Sequence, residues 1–224
     1  MLRRTLEAQG MLEKGAAFEK GMTLKNSILI LASASPRRQE LLREAGVAFE
    51  VHAANIDESQ LPDEKPLDYA QRLSREKAKA VAALYPRQYV LGADTIVVVS
   101  NEATGKPEIL GKPKDTQDAA RMLRLLSGRD HEVTTAVSLI VPDARTNTQT
   151  CITKTSTTKV WFRTLTESEI QQYVAGGEPM DKAGAYAIQG GASRWTDRIE
   201  GEFSSVVGLP LSVVTEMLQA NHFR

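Results

Sequence analysis

An α/β protein, a β-sheet carrying helices on its faces, is what the sequence predicts, and three observations predict it. Short apolar runs rich in β-branched residues alternate with segments whose apolar residues recur at helical spacing. Helix ends carry matching cap chemistry: Ser35 before Pro36, Thr166 three residues before Glu169, and glycines 46 and 128 after apolar periods. The length of 224 residues allows one sizeable core.

Taken in order, residues 27–32 (SILILA) form a short strand, and residues 36–45 form a helix on Leu41, Leu42 and Ala45 that stops at Gly46. Ser35 suits the N-cap, and Pro36 the first helical position, where its missing N–H costs nothing. A second helix is expected over 67–84, with Ala70, Leu73, Val81 and Leu84 as its apolar stripe, ending before Pro86. Residues 89–99 (YVLGADTIVVV) read as a buried strand, 115–126 as a helix, and 133–141 and 151–162 as further strands, the last rich in threonine. The Thr166/Glu169 capping box opens a helix to about Val174. An irregular stretch, 176–195, precedes a C-terminal pair formed by residues 203–207 and a helix after Pro210.

Composition narrows the function. The 28 basic and 28 acidic side chains cancel to a net charge of zero, which argues against the broad basic face of a nucleic-acid binder. One cysteine, Cys151, excludes an internal disulfide and, with three histidines at no metal spacing (His52, His131, His222), points to no metal cluster. A reducing, cytoplasmic setting is expected. No apolar run approaches the roughly 18 residues that cross a bilayer, and the first 20 residues lack the apolar core of a secretion signal. Residues 1–26 are expected to be an extension, frayed or upstream of the true start before Met22, and 27–224 a single domain of two lobes around a cleft.

Several residues break the local rules. Arg37 and Arg38, in LASASPRR at 31–38, place two cations where the helix N-terminus is already positive. A bound polyphosphate would turn that fault into a strong site through charge-assisted, often bidentate hydrogen bonds; the alternative is an exposed arginine pair. The stretch is not a Walker loop. Lys77 falls within the apolar stripe of its helix, so its ammonium needs an anionic partner or must snorkel to water. Asp94 interrupts a buried strand and is either a general base or metal ligand, or a carboxylate bonding nearby backbone. Asp57 and Glu58, in a polar turn, could offer oxygen to Mg²⁺. Two Gly-Lys-Pro triplets, at Lys106 and Lys112, compete for one role.

These residues sit in motifs that resemble the Maf family of nucleotide pyrophosphatases, relatives of the inosine triphosphatase fold. The resemblance runs from about Ile28 to the C-terminus through LASASPRRQELL, IDES, REKA around Lys77, LGADT, ILGKP, RMLRLLSGRDHEV, DKAGAYAIQG and VVGLPL. It implies an elongated, mixed, twisted sheet flanked by helices, with a central cleft, and hydrolysis of a nucleoside triphosphate between the α and β phosphates with Mg²⁺ or Mn²⁺, limiting incorporation of unwanted nucleotides. It implies Asp94 as proton acceptor and metal ligand, Glu58 as a second metal ligand, and Ser33, Arg37, Arg38, Lys77 and Lys112 as phosphate holders. Of the two triplets, ILGKP matches the family motif and favours Lys112 over Lys106. Within the family, the positions of Arg37, Thr95 and Gln189 sort substrates, and here they resemble the dTTP/UTP branch rather than the 7-methyl-GTP branch; an amide such as Gln189 can both donate and accept. The resemblance also implies a homodimer. Opposed readings from other classes are a non-catalytic nucleotide sensor and a nucleic-acid-binding regulator of cell division.

Overall fold

The computed structural model describes residues 28–100, 105–143 and 145–223. The expected extension over 1–26 lies outside the described residues. In chain order the elements are β1 (Leu29–Leu31), α1 (Pro36–Glu44), β2 (Phe49–Val51), α2 (Pro66–Ala82), β3 (Val90–Ser100), β4 (Pro107–Leu110), α3 (Thr116–Leu126) and β5 (Asp130–Asp143). They continue with β6 (Thr148–Phe162), α4 (Glu167–Ala175), three short 3-10 turns (Glu178–Asp181, Ala183–Ala185, Gly191–Trp195), β7 (Thr196–Glu200), α5 (Phe203–Val207) and α6 (Leu211–Ala220).

Seven strands form one mixed sheet in the order β2-β1-β3-β5-β6-β7, with β4 added to β3. β1 pairs in parallel with β2 and β3, and every other pairing is antiparallel. Side chains of a strand point alternately to opposite faces. Leu91, Ala93, Val97 and Val99 of β3 enter the large core that also holds residues of α1, α3, α4 and α6. Val90 and Ile96 face the other way and pack with Ala78, Val81 and Ala70 of α2. The alternation therefore sends Asp94 toward α2 and Thr95 toward the large core.

The helix boundaries follow local chemistry. Ser35 caps α1 by accepting from the Arg38 amide, and Pro36 is its first residue. Its far end closes with a Schellman pair, Gly46 N–H to Arg43 O and Val47 N–H to Leu42 O, with Gly46 at φ 71°. The Thr166/Glu169 capping box forms with both reciprocal bonds. α2 stops at Ala82, two residues short of expectation: Leu84 and Tyr85 donate to Val81 and Ala82, three residues back, as the chain turns ahead of Pro86. Leu84, counted in the apolar stripe, is consequently 63% exposed. Residues 203–207 form a five-residue helix. Three strands were not expected, β2, β4 and β7; each is three to five residues long, too short to show a period.

The histidines and cysteine have structural surroundings. His131 is buried against Phe162 and Tyr186, bonds the Tyr186 hydroxyl at 2.8 Å, and burial lowers its pKa to about 3. His52 bonds the Tyr85 hydroxyl at 3.1 Å, and Cys151 is a partly buried free thiol. No described helix is long and apolar enough to cross a membrane.

Candidate active site

The site is placed by an interruption in the sheet. On one flank of β3, pairing with β1 ends at Leu91 and pairing with β4 begins at Val97. Among the described residues, no strand pairs with the intervening stretch, 92–96, on that flank. Asp94, Thr95 and Ile96 from this stretch line a cavity of about 550 Å³, which therefore touches both faces of the sheet. Such a break, where the strand order switches, is where α/β sheets characteristically bind ligands.

On the α2 face, the Lys77 ammonium lies 2.7 Å from Asp94 Oδ1 and 2.9 Å from Glu58 Oε1. Lys77 and Asp94 are 8% and 7% exposed, so each charge needs the other. Glu58 comes from the loop between β2 and α2, held down by Tyr69, whose hydroxyl donates to the Glu58 carbonyl at 2.7 Å, and by Arg72, which bonds Glu64 and the Ser59 carbonyl. Burial pushes the Asp94 carboxyl above the ordinary carboxylate range, only partly offset by the charge and hydrogen bond of Lys77. Partial burial acts in the same upward direction on Glu58, yet the hydrogen bond and charge of Lys77, together with the charges of Lys112 and Arg38, outweigh it and the pKa falls. Two carboxylates a single ammonium apart, one with a raised pKa, are the pattern of an acid–base site.

At the start of α1, Arg38 is fixed from three sides. Its Nε donates to the Gly208 carbonyl at 2.8 Å, Nη1 to Ser33 Oγ at 3.1 Å and Nη2 to Thr95 Oγ1 at 3.1 Å. Burial lowers its pKa, and the Asp94 carboxylate works against that. Ser33 Oγ accepts from Arg38 and from the Ser35 amide, which leaves its own proton for a ligand. Arg37 and Lys112 line the same cavity. The Gly111 carbonyl beside Lys112 accepts from the Gly184 amide at 3.1 Å, which docks the loop before α3 against the 3-10 turns.

The structure thus brings Ser33, Arg37, Arg38, Glu58, Lys77, Asp94, Thr95 and Lys112 to one cavity. It leaves two residues outside the wall: Lys106, exposed ahead of β4, and Gln189, exposed beyond the buried run 184–188. Asp57 is exposed and accepts from the Ser59 amide at 2.9 Å. Sequence reasoning named neither Asp181 nor Lys182, which also line the cavity; Lys182 Nζ donates to the Glu178 carbonyl at 2.9 Å and to the Asp181 carboxylate. Asp181 ends one 3-10 turn and Lys182 links it to the next, where no period marks a facing side, and only the resemblance to DKAG could have pointed there.

A divalent cation has a fitting donor set here. Lys77 occupies Oδ1 of Asp94 and Oε1 of Glu58, and the second oxygen of each carboxylate makes no hydrogen bond to a described residue. Two hard oxygen donors beside a phosphate-sized space suit Mg²⁺ or Mn²⁺, which take one or two carboxylates and complete their shells with water and phosphate oxygens. No group of three or more His, Cys, Asp or Glu suited to a metal occurs among the described residues.

Replacing Lys77 tests this electrostatic arrangement. Without its ammonium the Asp94 carboxyl rises further, so Lys77→Met should move the acid limb of the kcat/KM profile to higher pH. In the phosphate-holding role that the family resemblance implies for it, Lys77 should be worth about tenfold to a hundredfold in kcat/KM. A pH–rate series checks both; an acid limb that stays in place would separate Lys77 from Asp94.

Comparison with known proteins gives three findings. A family profile described as Maf-like protein matches residues 28–221. A protein named dTTP/UTP pyrophosphatase from Koribacter versatilis (strain Ellin345) is 51% identical over 191 residues, covering 85% of this chain and 93% of that one; its namesake from Geobacter sulfurreducens is 52% identical over 191 residues, covering 85% and 95%. Among solved structures, the Staphylococcus aureus Ham1 protein aligns at 13% identity and a TM-score of 0.44, over 87% of this chain and 99% of that one.

Proposed function

The chain belongs to the Maf-like protein family, and from that membership and the cavity we propose that it hydrolyses nucleoside triphosphates, dTTP and UTP first, to the monophosphate and pyrophosphate. The observation that carries the reading is the convergence of Arg37, Arg38, Lys77 and Lys112 with a buried carboxylate, Asp94, in one cavity. Cations drawn from three separate segments have a common purpose only around a highly charged anion.

In the reaction, Asp94 accepts a proton from a water molecule whose oxygen attacks the α phosphorus. The bond from that phosphorus to the bridging oxygen breaks, the electron pair leaves with pyrophosphate, and the nucleoside monophosphate remains. A raised pKa makes Asp94 a better proton acceptor than an ordinary aspartate. Arg38 and Ser33 hold phosphate oxygens at the start of α1, where the helix dipole adds to their pull. Lys77 and Lys112 neutralise the remaining charge. A Mg²⁺ or Mn²⁺ ion, held by Glu58 and Asp94, would further polarise the phosphoryl oxygens.

The pyrimidine preference is supported by the names of the relatives and by Arg37 and Thr95 on the cavity wall. Cytoplasmic location and a homodimer complete the proposal; light scattering on the purified chain tests the latter. The decisive experiment measures pyrophosphate release with Mg²⁺ from a panel of dTTP, UTP, 5-methyl-UTP, pseudo-UTP, purine triphosphates and 7-methyl-GTP. Fastest turnover of dTTP and UTP is expected. Nucleotide binding without release would make the protein a sensor, and salt-sensitive DNA binding without release would make it a nucleic-acid regulator.

A further inference from the structure

Arg38 does not hold itself in place, and the groups that hold it form a continuous chain away from the cavity. Thr135, on β5, is 0% exposed and does not line the cavity. Its hydroxyl donates to the Ser205 carbonyl at 2.7 Å, and its oxygen lies 2.9 Å from Thr95 Oγ1. Because a hydroxyl has one proton, Thr135 has spent its own on Ser205, so Thr95 must be the donor between the two. Thr95 in turn accepts from Arg38 Nη2. The direction of every bond is fixed: Arg38 to Thr95, Thr95 to Thr135, Thr135 to the Ser205 carbonyl.

The other end of the guanidinium is tied to the same short segment. Arg38 Nε donates to the Gly208 carbonyl, 170 positions along the chain. Gly208 has φ 125°, a conformation side chains rarely adopt, and its amide closes α5 on Ser204. Ser205, in the middle of α5, and Gly208, just past its end, thus supply both carbonyl anchors, which gives Gly208 of the VVGLPL motif a task that neither phosphate binding nor proton transfer had assigned to it. Three of the five guanidinium N–H donors are consumed by Gly208, Ser33 and Thr95. One N–H on each terminal nitrogen remains, a two-pronged fork of the kind that grips a phosphate.

We propose that Thr135 is a positioning residue that sets the angle of this fork through Thr95, with α5 and Gly208 as its fixed base. The proposal deepens the phosphate-binding reading of Arg38 and makes two statements about specificity. Thr95, its proton committed, offers a ligand only a lone pair and a methyl group. Its influence on substrate choice therefore passes largely through Arg38.

A double-mutant cycle tests this, read both as affinity for inorganic tripolyphosphate by calorimetry and as kcat/KM for dTTP. Thr135→Val, which keeps shape and loses the hydroxyl, is expected to weaken tripolyphosphate about tenfold and to raise KM more than it lowers kcat. Thr135→Ser should restore both. In an Arg38→Ala background Thr135→Val should cost nothing further. An equal loss in that background, or undiminished binding by Thr135→Val alone, would overturn the proposal. If Thr135→Val does not fold, Thr95→Val breaks the same chain one link earlier and is read against the same two outcomes. Coupled tripolyphosphate binding without pyrophosphate release from any nucleotide would leave this inference standing and remove the hydrolase; no tripolyphosphate binding by the unaltered protein would remove both.

Discussion

Asp94→Asn should lower kcat for dTTP by about 10²- to 10⁴-fold, the usual worth of a general base, with little change in nucleotide affinity. The substitution keeps the shape of the side chain, and its amide oxygen can still accept from Lys77, which retains Glu58 at 2.9 Å. What disappears is the capacity to take a proton. In the unaltered protein that capacity has a pH signature. Burial raises the folded pKa of Asp94 above the ordinary 3.8, and only the ionised form accepts a proton, so activity should be lost as pH falls through a value higher than an exposed aspartate would show. The same shift acts on stability in the opposite sense. A carboxyl with a raised folded pKa favours the fold when protonated, fully below its unfolded value, and that benefit is lost as pH rises through the folded value. Asp94→Asn removes this neutral-pH cost but also takes away the charge that the buried Lys77 ammonium faces, leaving it to Glu58 alone, so its Tm should fall. Stopped kinetics with retained binding in a still-folded protein assign the base; near-normal turnover would refute it.

The largest combined loss of stability and activity is expected from Gly92→Ala. A Cβ at that position would stand 2.4 Å from the Ser74 carbonyl oxygen, 2.7 Å from the Ala78 amide nitrogen and 2.9 Å from Ala78 Cβ. All three belong to α2 and two are backbone atoms, so no side chain can swing aside. The helix must lift from β3, and overpacking of this kind costs about 1–3 kcal/mol or more, a fall in Tm of about 2–12 °C for a chain of this size. Ser74 and Ala78 bracket Lys77, and Asp94 lies two residues beyond Gly92. The clash therefore separates the ammonium from the carboxylate, and a displacement near 1 Å can cost about 10²-fold in rate. Calorimetry and pyrophosphate release on one sample test both effects. A Tm and turnover within error of the unaltered protein would show that α2 is not seated by that glycine.

Residues that violate local expectation were the ones legible in the sequence. Lys77 in an apolar stripe, Asp94 in a buried strand and two arginines at a helix start each stand out against the few residues around them, and all four come to the cavity wall. Lys112 and Glu58 stand in no such contrast: a polar turn offered Asp57 equally with Glu58, two Gly-Lys-Pro triplets offered Lys106 equally with Lys112, and only the family motifs favoured one of each pair. Nothing local announces that Arg38 is anchored by Gly208, or that Thr135 is two hydrogen bonds away from it, because those partners are ordinary residues brought together by sheet register and by the turn after α5. The seven long or capped elements, α1 to α4 with β3, β5 and β6, were predicted within a few residues, since period and cap chemistry are local. The short strands β2, β4 and β7 owe their existence to a neighbour's open edge rather than to their own composition. Gln189 was legible only through its AIQG motif, and the fold leaves it exposed, outside the cavity lining.

The interruption beside β3 also bears on which molecules could be made to block this protein. By the alternation of the strand, Ala93 and Thr95 turn their peptide groups to the same flank as Leu91, whose carbonyl accepts from Ala32, and Val97, which pairs with Leu110. No described main-chain group answers them. Amides left bare in mid-strand must be wetted or met by a ligand, so a greasy compound that dries the pocket would strand them at a cost of roughly 1–3 kcal/mol per group. Inhibitors should instead be sought among polar scaffolds able to lay a donor and an acceptor along that strand, and fragment screens weighted toward hydrocarbon should return few hits.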